Sequence, residues 1–289
     1  MSGEAYGALL DAVRGVQWPA RRTVPAGAVG AHHSHMRGAS TEFAEYRAYR
    51  QGDDPRRIDW RLLARSDRTY IRLTTDRAVL GTTLVLDSSA SMAYPVATRA
   101  KWRLAQAITI GLAAVAHAAG DPVGLVVAGP NAHPLALPPR TRRGVVDELA
   151  RAVANVEPAG SPRTAPLARA VRSARIAVIS DMLGDADELI RVVSAHVAGG
   201  GEAHVVHVVA REEIDPPRRT LLAVDPEEQS VERLLTDATR RAYEEAFGVW
   251  RTEIARQFRG GGASYTEVVT DEPAAHAVRR IARPPGKER

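Results

Sequence analysis

The sequence predicts an α/β protein: a doubly wound, mostly parallel sheet with helices on both faces and an N-terminal extension. Three observations lead there. Short apolar runs stop abruptly at polar residues, as Thr82–Leu86 does at Asp87 and Ile176–Ser180 at Asp181. Between such runs lie segments whose apolar residues recur at helical spacing. Finally, 289 residues, 45% apolar and 25% charged, suffice for a core without disulfide or metal staples. Apolar strands alternating with helices belong to parallel sheets covered on both faces.

The elements follow in order. Tyr6–Val13 is a short amphipathic stretch, and Trp18–Ser40 is Gly-, Pro- and His-rich and reads as a loop. Asp54-Pro55 looks like a helix start, with Asp at the N-cap and Pro at the first helical position. That helix carries Ile58, Trp60, Leu62 and Leu63, and the alternating Thr69–Thr74 reads as a strand. From Gly81 the pattern is strand Thr82–Leu86, helix Arg99–Ala119, strand Val123–Ala128 and a returning antiparallel strand Pro134–Leu137. Helices Gly144–Val153 and Ala165–Val171 precede strand Ile176–Ser180. Helix Asp185–Val197 follows, with Asp185 and Glu188 fitting a capping box, then strand His204–Val209 and a small strand Thr220–Val224. Ser230–Phe258 reads as the longest helix, stopped by Gly260-Gly261-Gly262, before strand Tyr265–Val269 and helix Pro273–Ala282. The expected organisation is an extension over 1–79, an α/β domain over 80–283 and a disordered tail over 284–289. Trp60, Trp102 and Trp250 read as packing residues.

Composition excludes several functions. With no Cys there are no disulfides, thiolate metal sites or Cys nucleophiles. Aromatic residues are only 5%, too few for rows that stack bases. The net charge is +5, but the Arg residues are interspersed with acids, so nucleic-acid binding through Arg ranks last. The longest nearly apolar stretch, Leu104–Gly120, contains Gln106, Thr109 and His117 and reads as a buried helix rather than a membrane span. The first residues carry Glu4 and no long apolar run, unlike a signal peptide, so the expected location is cytoplasmic. His32, His33 and His35 lie in the Gly-rich stretch without a nearby acid and read as loop histidines.

Ligands of open α/β sheets bind outside the carboxyl ends of the strands. There Asp87-Ser88-Ser89-Ala90-Ser91 places one carboxylate and two hydroxyls at alternate positions of a loop leaving a strand. Hard divalent cations want such oxygen ligands: Mg²⁺, with Mn²⁺ or Ca²⁺ as alternatives. Asp181, ending another strand, reaches the same rim, and Thr164 supplies a further hydroxyl from the loop before a helix. Structural roles compete with these: Asp87 as a turn cap, Ser89, Ser91 or Thr164 as helix caps, Asp181 as a solvated loop residue.

The DxSxS run, the loop threonine and the strand-end aspartate together resemble the metal-ion-dependent adhesion site of von Willebrand factor A domains. The order of elements from Gly81 to Ala282 is similar throughout. Upstream, Glu42-Phe43, Tyr46-Arg47, Tyr49, Gly52-Asp53-Asp54-Pro55-Arg56-Arg57-Ile58-Asp59-Trp60 and Ala64-Arg65 are similar to the signature of a bacterial family of unknown function, number 58. The resemblance implies a von Willebrand factor A-like, Rossmann-type fold over 80–283. It implies that Ser89 and Ser91 bind metal directly, Asp87 directly or through water, and Asp181 through water. Thr164 matches the second-loop threonine, with Ser161 as a rival. Ser180-Asp181-Met182 departs from the common Thr-Asp-Gly.

The implied function is a non-enzymatic, metal-dependent interaction module, an adaptor or chaperone-like scaffold. Its partners are a MoxR-type AAA+ ATPase and a client that brings an acidic residue to the open metal position. The alternative is a weak metal-dependent hydrolase using the same Asp/Ser cluster. Against it, no Gly-x-Ser-x-Gly surrounds Ser89 or Ser91, and the chain has no Walker A run.

Overall fold

The structure is a computed structural model, described here for residues 3–21, 29–37, 43–50, 53, 55, 58–66, 68–128, 134–218, 221–224 and 232–283. The expected tail at 284–289 lies outside the described residues. The chain divides into two compact units, one of residues 1–18 with 81–289 and one of residues 19–80.

The larger unit is built on a six-stranded sheet. Its first strand, labelled β4 in chain order, is Thr82–Asp87; the others are β5 (Val123–Ala128), β6 (Leu135–Arg140), β7 (Arg175–Ser180), β8 (Glu202–Val209) and β11 (Ser264–Val269). Their order is β11-β8-β7-β4-β5-β6, all parallel except β6, which runs antiparallel on the edge. The chain therefore leaves β4 toward one edge and returns to β7 on its other side. That reversal is the topological switch point of a doubly wound sheet.

Both faces are covered. Helices α1 (Gly3–Ala12), α3 (Ala100–Ala118), α4 (Val145–Ala154) and α9 (Ala274–Ala282) enclose one core with Leu84, Leu86, Ile108, Leu112 and Val278. Helices α5 (Thr164–Ala170), α6 (Ala186–Ala198) and α8 (Asp237–Gly260) enclose the other with Val85, Ile176, Leu189, Ile254 and Phe258. Residues of β4 and β7 are buried throughout, the reason their centres, Leu84–Leu86 and Ile176–Ile179, are apolar at every position. A Cβ at Gly111 would lie 2.6 Å from Val278 Cγ2, so the glycine lets α3 and α9 approach closely. Among the described residues, no helix is long and apolar enough to cross a membrane.

The smaller unit is a three-stranded antiparallel sheet, ordered β1 (Val29–Arg37), β3 (Tyr70–Ala78), β2 (Phe43–Ala48), with helix α2 (Trp60–Ser66). Its signature residues bond to one another. Arg47 Nη2 donates to Asp53 Oδ1 at 2.7 Å, and Tyr46 Oη to Asp59 Oδ2 at 2.8 Å.

Several expectations are corrected. His32, His33 and His35 stand in β1 rather than in a loop, because residues 29–37 pair with the distant strand β3. Helix α2 begins at Trp60, where the Asp59 carboxylate accepts from the N–H groups of Arg61 and Leu62, both at 3.0 Å; the expected N-cap, Asp54, lies outside the described residues. Trp60 is 62% exposed, so it is no packing residue, whereas Trp102 is buried. The helix expected over Ser230–Phe258 starts only at Asp237. Thr236 caps it by accepting from Thr239 N, and Glu232–Leu235 forms β10, paired antiparallel with β9 (Leu221–Val224). The 1–79 boundary also differs from the division drawn by the structure, because α1 packs on α3 and α9 within the larger unit.

Candidate metal centre

Strands β4 and β7 are neighbours at the switch point, and their carboxyl ends carry Asp87 and, one residue on, Asp181. Asp87 is almost wholly buried. Its Oδ1 accepts from Ser89 N at 2.9 Å and its Oδ2 from Ser180 Oγ at 2.7 Å. The bond to Ser89 N closes the turn, so Asp87 does act as a turn cap. It also holds Ser89 and Ser91 over the strand end, where their Oγ atoms lie 2.9 Å apart and both residues are buried. The 3-10 turn Ala90–Ala93 begins there without a side-chain cap from Ser89.

The loop before α5 is tied to this turn by backbone bonds, Ala90 N to Gly160 O at 2.8 Å and Ala159 N to Ser88 O at 2.9 Å. Of the two rival hydroxyls on that loop, Thr164 is buried and Ser161 exposed. Thr164 is the first residue of α5, after the N-cap Arg163, whose side chain makes no cap. Instead, Ala165 N donates to Asp185 Oδ2 at 2.8 Å. That bond replaces the capping box expected of Asp185 and Glu188. Glu188 in turn bonds Arg163 and Arg169. Asp185 thus pins the second loop from α6.

The third loop carries Met182 where the resembled pattern has a glycine. Met182 sits at φ 62°, in the left-handed region, at a cost of about 1–2 kcal/mol for a residue with a Cβ. Its buried side chain belongs to the second core cluster, which offsets that cost. Ser180 Oγ, while donating to Asp87, accepts from Met182 N at 3.0 Å.

Sequence reasoning missed the neighbours that set the charge of the site. Lys101, in the first turn of α3, is fully buried, with Nζ 2.6 Å from Asp181 Oδ2 and 2.8 Å from Glu213 Oε1. Glu213 belongs to the short helix α7 (Arg211–Ile214). His207 on β8 faces the backbone of Asp181 and the Tyr265 hydroxyl. Burial, followed by the charge of Asp181, pushes the Asp87 carboxyl from 3.8 up to about 7; hydrogen bonds from Ser180 and Ser89 oppose this. Burial pushes the His207 imidazole down to about 4. One signal was available: Lys101 is one of only two lysines in the chain.

The donor set fits a hard divalent cation. At ligand distances of about 2.0–2.1 Å, adjacent corners of a Mg²⁺ octahedron lie roughly 2.9 Å apart. The two serine hydroxyls show that separation beside a buried carboxylate. Burial, then the charge of Asp181, raises the Asp87 carboxyl, so its ionised form gains from any added positive charge. Asp87, Ser89 and Ser91 are thus brought together, Asp181 lies within electrostatic reach but is engaged by Lys101, and Thr164 closes the loop alongside.

Strand order and site position together define a doubly wound α/β domain with a polar cluster at the strand ends. The chain belongs to the family described as "Protein of unknown function DUF58", which matches residues 45–253. It is 28% identical over 264 residues to "Uncharacterized protein Rv1480" of Mycobacterium tuberculosis, covering 88% of this chain and 82% of that one. The Mycobacterium bovis protein Mb1516 matches with the same identity and coverage. Solved structures with partial similarity include an aerotolerance-related membrane protein from Bacteroides fragilis, at TM-score 0.46 and 16% identity over 70% of this chain and 96% of that one. BatB from Bacteroides thetaiotaomicron has TM-score 0.42 and 16% identity over the same shares.

Proposed function

We propose that this chain is a non-enzymatic protein-interaction module whose docking point is a divalent cation, Mg²⁺ or else Mn²⁺ or Ca²⁺. Asp87, Ser89 and Ser91 would hold it, with Thr164 and Asp181 completing the shell directly or through water. The observation that carries this reading is the pair of buried serine hydroxyls 2.9 Å apart beside the buried Asp87 carboxylate. Bound there, a cation supplies an open coordination position for a carboxylate of another protein.

This chain's own residues supply the rest. Ser180 and Ser89 orient Asp87, and the Ala90–Gly160 backbone bond ties the second loop to the turn that carries the two serines. The partners in this reading are a client with an acidic residue and, by family resemblance, a MoxR-type AAA+ ATPase, with the module acting as cytoplasmic adaptor or chaperone-like scaffold. The hydrolase alternative gains little, because Ser89 neighbours Asp87 and Ser91 rather than a histidine base.

A pull-down with the MoxR-type ATPase of the same genome tests the partnership. Capture should require divalent metal, be lost in chelator and be lost in Asp87→Ala. Capture that ignores chelator and tolerates Asp87→Ala would contradict the docking role. It would direct attention to the Arg-rich block at 47–68.

A further inference from the structure

Lys101 places a positive charge inside a site that the metal reading leaves to oxygen ligands. Its side chain is wholly buried, and its Nζ bridges Asp181 Oδ2 at 2.6 Å and Glu213 Oε1 at 2.8 Å. A buried ammonium persists only where carboxylates pair with it. Glu213 is a fixed anchor, because its Oε2 accepts from Ala210 N at 2.7 Å at the end of β8. Asp181 is therefore the carboxylate shared between the lysine and the strand-end site, since it is also the charge that Asp87 feels. The ammonium is thus held between two carboxylates, of which only Asp181 also acts on Asp87.

We propose that Lys101 is a resident counter-ion of the site, competing with the divalent cation for Asp181 and so setting how weakly the site takes metal. The proposal rests on the metal reading above. It makes Lys101 and Glu213 positioning residues with opposite effects. Removing the ammonium frees Asp181 for the cation, whereas removing the anchor gives the ammonium to Asp181 alone.

Calorimetric titration of Mg²⁺ into wild type, Lys101→Met and Glu213→Gln tests this. Lys101→Met should bind Mg²⁺ about tenfold tighter or more. Glu213→Gln should bind it more weakly, and its amide oxygen can still accept from Ala210 N, so it remains informative if Lys101→Met does not fold. To separate competition for Asp181 from a general change of charge, both lysine forms are compared in an Asp181→Asn background. There the gain should shrink to under about twofold.

Equal affinities for wild type and Glu213→Gln, or a gain undiminished by Asp181→Asn, would overturn the proposal and leave the metal site standing. Binding by Lys101→Met but not by wild type would support the competition while contradicting metal-dependent docking by the native chain. No binding by any of the proteins would overturn both readings.

Discussion

Arg175→Met should destabilise the fold by about 3–5 kcal/mol, the range for removing one partner of a buried ion pair. Arg175 opens β7 at the end of the sheet opposite the site and is fully buried. Its Nε donates to Glu202 Oε2 at 3.3 Å, its Nη1 lies 3.8 Å from Asp121 Oδ2, and its Nη2 donates to Trp18 O at 3.1 Å. The guanidinium also lies over the Trp18 ring, 4.4 Å from its centroid. Methionine restores much of the volume but leaves the carboxylates of Asp121 and Glu202 buried without this cation. Arg175→Lys should fall between, keeping the charge but losing the planar fork. Urea denaturation reads the loss as a lowered midpoint, and a midpoint unchanged in Arg175→Met would contradict it.

The second large effect concerns Asp87 and pH. In chelator, stability should fall as pH rises from about 4 to 7 in wild type relative to Asp87→Asn. The sign follows from proton counts: the folded chain keeps the Asp87 proton up to about 7, whereas an ordinary aspartate releases it near 3.8. Between those values the folded state binds more protons, so raising pH favours unfolding. His207 works the other way, since its imidazole, depressed from 6.5 to about 4, makes stability rise over that interval. Comparison with Asp87→Asn cancels the histidine and isolates the carboxyl. The expected difference is of the order of a few kcal/mol across the window. Millimolar Mg²⁺ should abolish it by neutralising the ionised carboxylate. Parallel stability curves for the two proteins in chelator would contradict the raised Asp87 carboxyl.

What could be read in advance follows from locality. Strands β4, β5 and β7 were legible because burial on both faces fills their centres with consecutive apolar side chains, and Val123–Ala128 matches to the residue. Asp87, Ser89 and Ser91 were legible because one short turn presents them. Strand β1 was not, since its pairing with β3 spans a long stretch of chain while its own Gly and His content reads as loop. Leu234 and Leu235 continued the helical spacing of α8, and only the Thr236 cap and the pairing with β9 separate them from it. Lys101 was invisible for a related reason. From sequence it is a cation on an apolar helix, and only the packing of α3 against the sheet brings it to Asp181 and Glu213. Asp185 was assigned to its own helix, yet its carboxylate serves the neighbouring one.

The central claim is that the strand-end cluster binds a divalent cation. Titration of Mg²⁺ into wild type, Asp87→Ala, Ser89→Ala and Ser91→Ala, each checked for fold by circular dichroism, tests it most directly. Wild type should bind saturably at millimolar metal or below, Asp87→Ala should lose binding, and each serine variant should bind somewhat more weakly, because each removes one neutral ligand. A folded wild-type protein that takes up no divalent metal at millimolar concentration, or binds it equally well without Asp87, would contradict it.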